Sequence, residues 1–300
     1  MHLLFVLAVI TVSAVHGAVD SIKERFEAAV QAQRSGDLST AIRAYREMLE
    51  RDPRLTRARH LLGICELQAG NRGEGIRQLE AVRREDPSNR QVAYTLVSTY
   101  VASGMLQQAA KVVQLDLRGD ESGAAYFMRG SLAMAEGHYD LAIRELEHAR
   151  KLGKGLAGVT SQLGVAYCFT GRLDDALPVL ESALQENPLD GNAAAFLGWI
   201  YKDRDRDSEA AALLERTVRA RPEDQGALFL LAQLTQSRGQ SAEALGMLEK
   251  VVALDPDHRA AHVLLARLYQ KLRRTDDAAR ERSIIERLNA DLQAAQPKAP

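Results

Sequence analysis

The chain has two cysteines in 300 residues, one tryptophan and eight prolines, and aromatic side chains make up only 5% of it. Two thiols are too few to staple a secreted fold, so stability has to come from packing. Scarce aromatics and scarce β-branched runs leave Ala, Leu, Glu, Arg and Gln dominant, and these favour helix nearly throughout. An excess of charge of one sign is missing as well: 39 basic residues meet 40 acidic ones, for a net charge of −1. Without a strongly basic domain there is no field to draw nucleic acid or an anionic membrane. Global disorder is excluded, because 46% of the residues are apolar.

Catalytic signatures are absent too. No Gly-rich phosphate loop, G-x-S-x-G elbow, H-E-x-x-H or CxxC occurs. The seven histidines are scattered; His258 and His262 share a helical i,i+4 spacing, but no third ligand lies near in register. The expectation is no enzyme, no cofactor and no metal. The alternating run Lys202-Asp203-Arg204-Asp205-Arg206-Asp207 reads as a solvated loop. The one long apolar run, Leu3 to Val15, is about 13 residues, short of the roughly 20 that cross a bilayer. It ends in Val15-His16-Gly17-Ala18, which permits cleavage after Gly17. Residues 1–17 are therefore expected to be a signal peptide, leaving a secreted or periplasmic chain with no direct membrane anchor. The alternative is an N-terminal core helix. No cysteine near the exit could accept a lipid.

What the sequence has is a period. Gly36, Gly70, Gly104, Gly137, Gly171 and Gly239 keep a 34-residue phase, and so do Pro53, Pro87, Pro188, Pro222 and Pro256. Small residues at Ala41, Gly75, Ala109, Ala142, Ala176, Ala210, Ala244 and Ala278 follow each glycine slot at a fixed offset. Three residue types in one phase define a repeat.

With starts at Ile22, Thr56, Arg90, Gly123, Ala157, Gly191, Gln225 and Arg259, the chain resembles the tetratricopeptide-repeat (TPR) family. The fifth repeat carries Leu163-Gly164, Tyr167, Ala176, Leu180, Ala183 and Pro188; the sixth carries Leu197-Gly198, Tyr201, Ala210, Leu214 and Pro222. The resemblance covers about residues 22 to 292, and 293–300 is expected to be a disordered tail. It implies an all-α, right-handed superhelical solenoid of about eight helix-turn-helix repeats. Positions 4, 7, 8 and 11 of each repeat share one apolar stripe, and positions 8 and 20 stay small where helices A and B cross. Glycine at position 15 serves the turn, and proline at position 32 ends helix B.

Departures mark particular places. The third repeat is one residue short and has Glu121 where proline is expected, and the fourth ends in Gly153-Lys154-Gly155-Leu156-Ala157-Gly158 without one. These two soft junctions read either as drift or as a hinge around repeat four. Asp205 and Arg273 replace the turn glycine, and Pro178 sits one turn into a helix B. Cys65 and Cys168, three repeats apart, are expected to be free and half-buried. Glu181 reads as exposed, and Ile284, Ile285 and Leu288 as the uncovered apolar face of the final helix.

The same resemblance implies that helix A lines a groove with positions 2, 5, 9, 12 and 13. That register selects Tyr94, Phe127, Met134, Phe169, Trp199, Lys202, Phe229 and Gln233 as partner-binding residues, a groove turning polar and basic toward the C-terminus. The competing reading is that adjacent A helices half-bury these side chains against each other. The family's carboxylate clamp finds no match in Phe26, Val30, Leu61, Gln91 and Thr95. The expected function is a non-catalytic protein-protein interaction scaffold outside the cytoplasm, gripping a peptide or helical segment. The alternative is an accessory subunit presenting substrates to a separate transferase or protease. Partners are a protein or peptide, with weak self-association through the terminal repeats as a further expectation.

Overall fold

The computed structural model describes residues 22–153 and 155–295; the expected signal segment 1–17 and the last residues from 296 lie outside them. The chain divides into two compact units, to Gly137 and from His138, so the division falls in the turn inside repeat four. In the first unit lie α1 (22–34), α2 (Leu38–Arg51), α3 (Thr56–Gln68) and α4 (Arg72–Glu85), then α5 (Arg90–Ala102), α6 (Leu106–Asp116) and α7 (Gly123–Ala135). In the second lie α8 (Tyr139–Leu152), α9 (Val159–Phe169), α10 (Leu173–Glu186), α11 (Gly191–Asp203) and α12 (Asp207–Ala220). It closes with α13 (Gln225–Ser237), α14 (Ser241–Leu254), α15 (Arg259–Lys271) and α16 (Thr275–Ala295). Among the described residues no strand occurs, and no helix is long and apolar enough to cross a membrane. The chain is an all-α repeat solenoid: within the first unit consecutive helices from α2 to α7 pack on one another, within the second those from α8 to α16 do, and A helices meet directly at α5–α7, α9–α11 and α11–α13.

The repeat's apolar slots explain the packing. Leucine at position 7 is buried in six repeats (Leu62, Leu96, Leu163, Leu197, Leu231, Leu265), and helix B answers with Leu79, Leu146, Leu180, Leu214 and Leu248 at position 24. The alanines at position 20 are 0% exposed. In repeat two both crossing positions are glycine, and a Cβ on Gly75 would stand 2.9 Å from the Gly63 carbonyl oxygen. The turn needs a left-handed residue: Gly70 has φ 84, and Asp205 (φ 57) and Arg273 (φ 60) keep the same conformation without glycine's freedom. Helix α10 continues through Pro178. Helix α9 opens at Val159, two residues after Ala157, because Gly158 takes φ 84 as its N-cap.

The junction after repeat three is pinned. Asp120, 3% exposed, accepts from the Tyr94 hydroxyl at 2.7 Å and from the Ser122 N–H at 2.9 Å. Its backbone oxygen takes Arg129 Nη1 at 3.0 Å. Burial pushes this carboxyl up, but the Tyr94 and Ser122 hydrogen bonds and the Arg90 charge outweigh it and hold it below the usual range. Two other expectations are corrected at the C-terminal end. Leu288 is buried, with Ile284 and Ile285 half-buried, because α16 lies along α15. Helix α16 also continues to Ala295, into the stretch from 293 where a disordered tail was expected.

A second set of contacts joins repeat to repeat. Tyrosine at position 11 donates its hydroxyl to glutamate at position 25 of the preceding repeat: Tyr100 to Glu80 (2.7 Å), Tyr167 to Glu147 (2.6 Å), Tyr201 to Glu181 (3.1 Å) and Tyr269 to Glu249 (2.8 Å). Arginine at position 16 lies over three of these rings, Arg172 on Tyr167, Arg206 on Tyr201 and Arg274 on Tyr269, at 4.2–4.5 Å. Repeat two inverts the pairing: Glu66, 0% exposed, sits at position 11 and takes Arg46 from position 25 at 2.5 Å. Glu181 is thus a half-buried acceptor rather than an exposed residue.

Burial first, and then the hydrogen bond to glutamate, push the Tyr167 and Tyr269 phenols up to about 12 and raise Tyr100 and Tyr201 as well. An unfolded chain ionises its phenols near pH 10. A raised folded value means that the stabilisation is complete below about pH 10 and is lost as pH climbs toward about 12. The urea midpoint should therefore fall through that window, and ultraviolet titration should show these phenols ionising late. A midpoint flat across the window, or four phenols ionising near pH 10 in the folded chain, would contradict the contacts.

Candidate binding cavity of repeats five to seven

Three A helices of the second unit, α9, α11 and α13, line an open cavity of about 470 Å³, within the usual range for a ligand site. Helix α11 presents Ala195, Phe196 and Trp199 at i, i+1 and i+4, on one face; α13 presents Gly226, Phe229 and Leu230 with the same logic. The end of α9 adds Cys168 and Phe169. Small residues let α11 and α13 close together: a Cβ on Gly226 would stand 3.1 Å from that of Ala195.

The rings are held from behind and open in front. Phe169 stacks on Tyr139 with centroids 4.6 Å apart and planes 6° from parallel, and meets Phe196 edge-on at 5.7 Å. Yet it is 52% exposed, and Trp199 is 37% exposed. Phe229 leans on His258 at 4.9 Å, while His258 Nδ1 accepts from the Ala261 N–H and caps α15. Burial pushes the Cys168 thiol up to about 11, so the floor is neutral and apolar and offers no thiolate nucleophile at neutral pH. The walls can hold apolar side chains by area and ring contacts; they bring together no acid, base or nucleophile.

Of the residues selected by register, Phe169, Trp199 and Phe229 meet at this cavity. Lys202 and Gln233, both half-buried, lie one turn farther along α11 and α13 and flank it. Tyr94, Phe127 and Met134 belong to the first unit and are half-buried. Tyr94 and Phe127 pack against the core of repeats two to four, and the Tyr94 hydroxyl is committed to Asp120. Sequence reasoning missed Phe196 and Leu230 at position 6, and Gly226 at position 2. The signal was there in the i,i+3 step from Phe196 to Trp199. The cavity lies between neighbouring A helices, where position 5 of α11 (Ala195) meets position 2 of α13 (Gly226) and position 6 lines the hollow beside them.

The buried histidine of repeat eight is already paired. His262, 3% exposed, is bound through Nδ1 to Glu281 at 2.5 Å and through Nε2 to the Pro256 carbonyl at 3.0 Å. Among the described residues no cluster of three His, Cys, Asp or Glu could hold a metal. Cys65 and Cys168 are free and buried rather than half-buried. A hollow of about 540 Å³ is lined by Gly153, Gly155, Leu156, Ala157 and Gly158 together with residues of α8, α9 and α10, and its Glu186 carboxylate is taken by the Thr160 hydroxyl at 2.9 Å.

Models described as tetratricopeptide repeat match residues 133–200 and 170–234, and another matches 26–90. One described as anaphase-promoting complex, cyclosome, subunit 3 matches 203–281. Over 185 residues, 61% of this chain, the sequence is 28% identical to aspartyl/asparaginyl beta-hydroxylase of Mus musculus and 26% identical to that of Homo sapiens. The matched stretch is 22% and 21% of those proteins, so the chain spans about a fifth of their length. A tetratricopeptide repeat protein from Parabacteroides merdae superposes with a TM-score of 0.65 at 16% identity, over 84% of this chain and 99% of that one. The APC/C hetero-tetramer Cut9-Hcn1 gives 0.69 at 18% identity, over 80% and 48%. Those structural likenesses show the fold; joined to the matched repeats and the 34-residue register of buried Leu and Ala, they place the chain in the tetratricopeptide-repeat family.

Proposed function

We propose that this chain is a non-catalytic docking module that grips a segment of another polypeptide in the aromatic cavity of repeats five to seven. TPR-type folds generally mediate protein-protein interactions and typically carry no catalysis. The observation behind the specific site is the exposure of Phe169 and Trp199 around a 470 Å³ hollow while Tyr139 and Phe196 hold the Phe169 ring in place. An aromatic anchor site of this kind is where binding energy concentrates. Peptides selected from a random display library against the full chain provide the probe. Trp199→Ala should weaken their binding about 30-fold, roughly 2 kcal/mol, while leaving the thermal midpoint nearly unchanged. Unchanged binding removes the cavity from the interaction. A stability loss of about 3–5 kcal/mol, the cost of truncating a buried Trp, makes Trp199 a core residue instead.

The apolar run Leu3 to Val15 with its small-residue exit supports placing the module outside the cytoplasm, secreted or periplasmic. Intact-mass analysis of the exported product should find residues 1–17 removed; a chain still beginning at Met1 refutes that location. A second reading, an accessory that presents polypeptides to a separate enzyme, is favoured by the resemblance to hydroxylases named for aspartyl and asparaginyl residues. Co-purification of an enzyme with the mature chain separates the two.

A further inference from the structure

The cavity has a charged neighbour. Lys202 lies at position 12 of repeat six, one turn past Trp199 on the same face of α11. Arg267 and Lys271 lie at positions 9 and 13 of repeat eight, the slots that hold Trp199 and Phe169 in their own repeats. Gln233 and Gln236 continue the same polar strip on α13. Other nearby basic residues have structural work: Arg204 pairs with Asp174, Arg206 with Glu209 and Arg274 with Asp277. Lys202, Arg267 and Lys271 have no ion pair among the described residues. Among the groove positions of repeats five to eight the charged residues are these three cations and a single acid, Asp203, in a chain whose net charge is −1. The strip is therefore locally basic against an otherwise balanced surface. The acids at the opposite end of the helices, Asp190 and Asp224, are consumed as N-caps of α11 and α13.

Resting on the docking function above, we infer that the occupant is a polypeptide segment with an apolar or aromatic anchor for the cavity and a cluster of Asp or Glu flanking it, seated on Lys202, Arg267 and Lys271. Unpaired cations beside an apolar bowl complement such a segment and repel a basic one. Contacts of this exposed kind are individually small, so recognition depends on the three acting together, and it weakens with salt as the screening length shrinks from about 10 Å at 0.1 M to about 3 Å at 1 M.

The test uses the display-selected peptides on the full chain. Their sequences should combine aromatic or aliphatic residues with an acidic cluster. The triple charge reversal Lys202→Glu, Arg267→Glu and Lys271→Glu should weaken them about tenfold or more with the fold intact, since none of the three is paired. Peptides that need Trp199 yet show no acidic bias, or that ignore the triple reversal, overturn this inference and leave the docking function standing. Peptides that ignore Trp199→Ala overturn the docking function itself.

Discussion

Ala176→Leu is expected to destabilise the chain by about 1–3 kcal/mol or more in urea melts, because the crossing of α9 and α10 has no room for an isobutyl group. Ala176 is 0% exposed. Across from it the helices are already so close that a Cβ on Gly164 would stand 2.6 Å from the Leu180 Cγ. The pair can relax only by moving apart, which would disturb α11, packed on both, and with it the wall that carries Trp199. Gln185→Ala, on the exposed side of the same helix, is the control and should stay within about 0.5 kcal/mol. Glu181 cannot serve as that control, since it accepts the Tyr201 hydroxyl. Equal urea midpoints for Ala176→Leu and Gln185→Ala would mean that the register of the crossing is wrong.

Why the crossing was readable and the cavity only partly so comes down to which signals repeat in phase. Each repeat must bring A and B together at one place, so the small residue at position 20 recurs down the sequence, from Ala41 to Ala278. Helices open at Thr56, Arg90, Gly123, Gly191, Gln225 and Arg259, the starts that the glycine and proline phase implies. The miss at Ala157 comes from a local event, the left-handed Gly158, in a loop that departs from the period. Asp120 is another local event: it replaces the missing proline by hydrogen bonding, and no periodic rule points to it. The cavity is built from four rings, Phe169 at position 13, Phe196 and Trp199 at positions 6 and 9 of one repeat, and Phe229 at position 5, and the first three stand in slots that are aromatic in no other repeat. Trp199 was found because its slot, position 9, was counted as groove; Phe196 was passed over because position 6 was not.

The tyrosine-glutamate contacts were periodic and still went unread, because the partners are 20 residues apart, on helix B of one repeat and helix A of the next. Repeat two shows what the slot demands. Glu66 is fully buried there, with Arg46 at 2.5 Å and the Asn71 side-chain amide at 2.8 Å. A buried carboxylate stripped of its cation is costly, and one faced with a second carboxylate more so. Arg46→Glu should therefore lower stability by about 3–5 kcal/mol. Adding Glu66→Tyr rebuilds the arrangement found at Tyr100, Tyr167, Tyr201 and Tyr269, a phenol donating to the glutamate of the preceding repeat. The double variant should recover most of the loss, giving a coupling energy in the upper part of the 0.5–3 kcal/mol range for residues in contact. The position already accepts that ring elsewhere at 4–6% exposure, as Tyr100, Tyr167 and Tyr269 show. A double variant no more stable than Arg46→Glu alone would mean that repeat two is held by something other than the contact at positions 11 and 25.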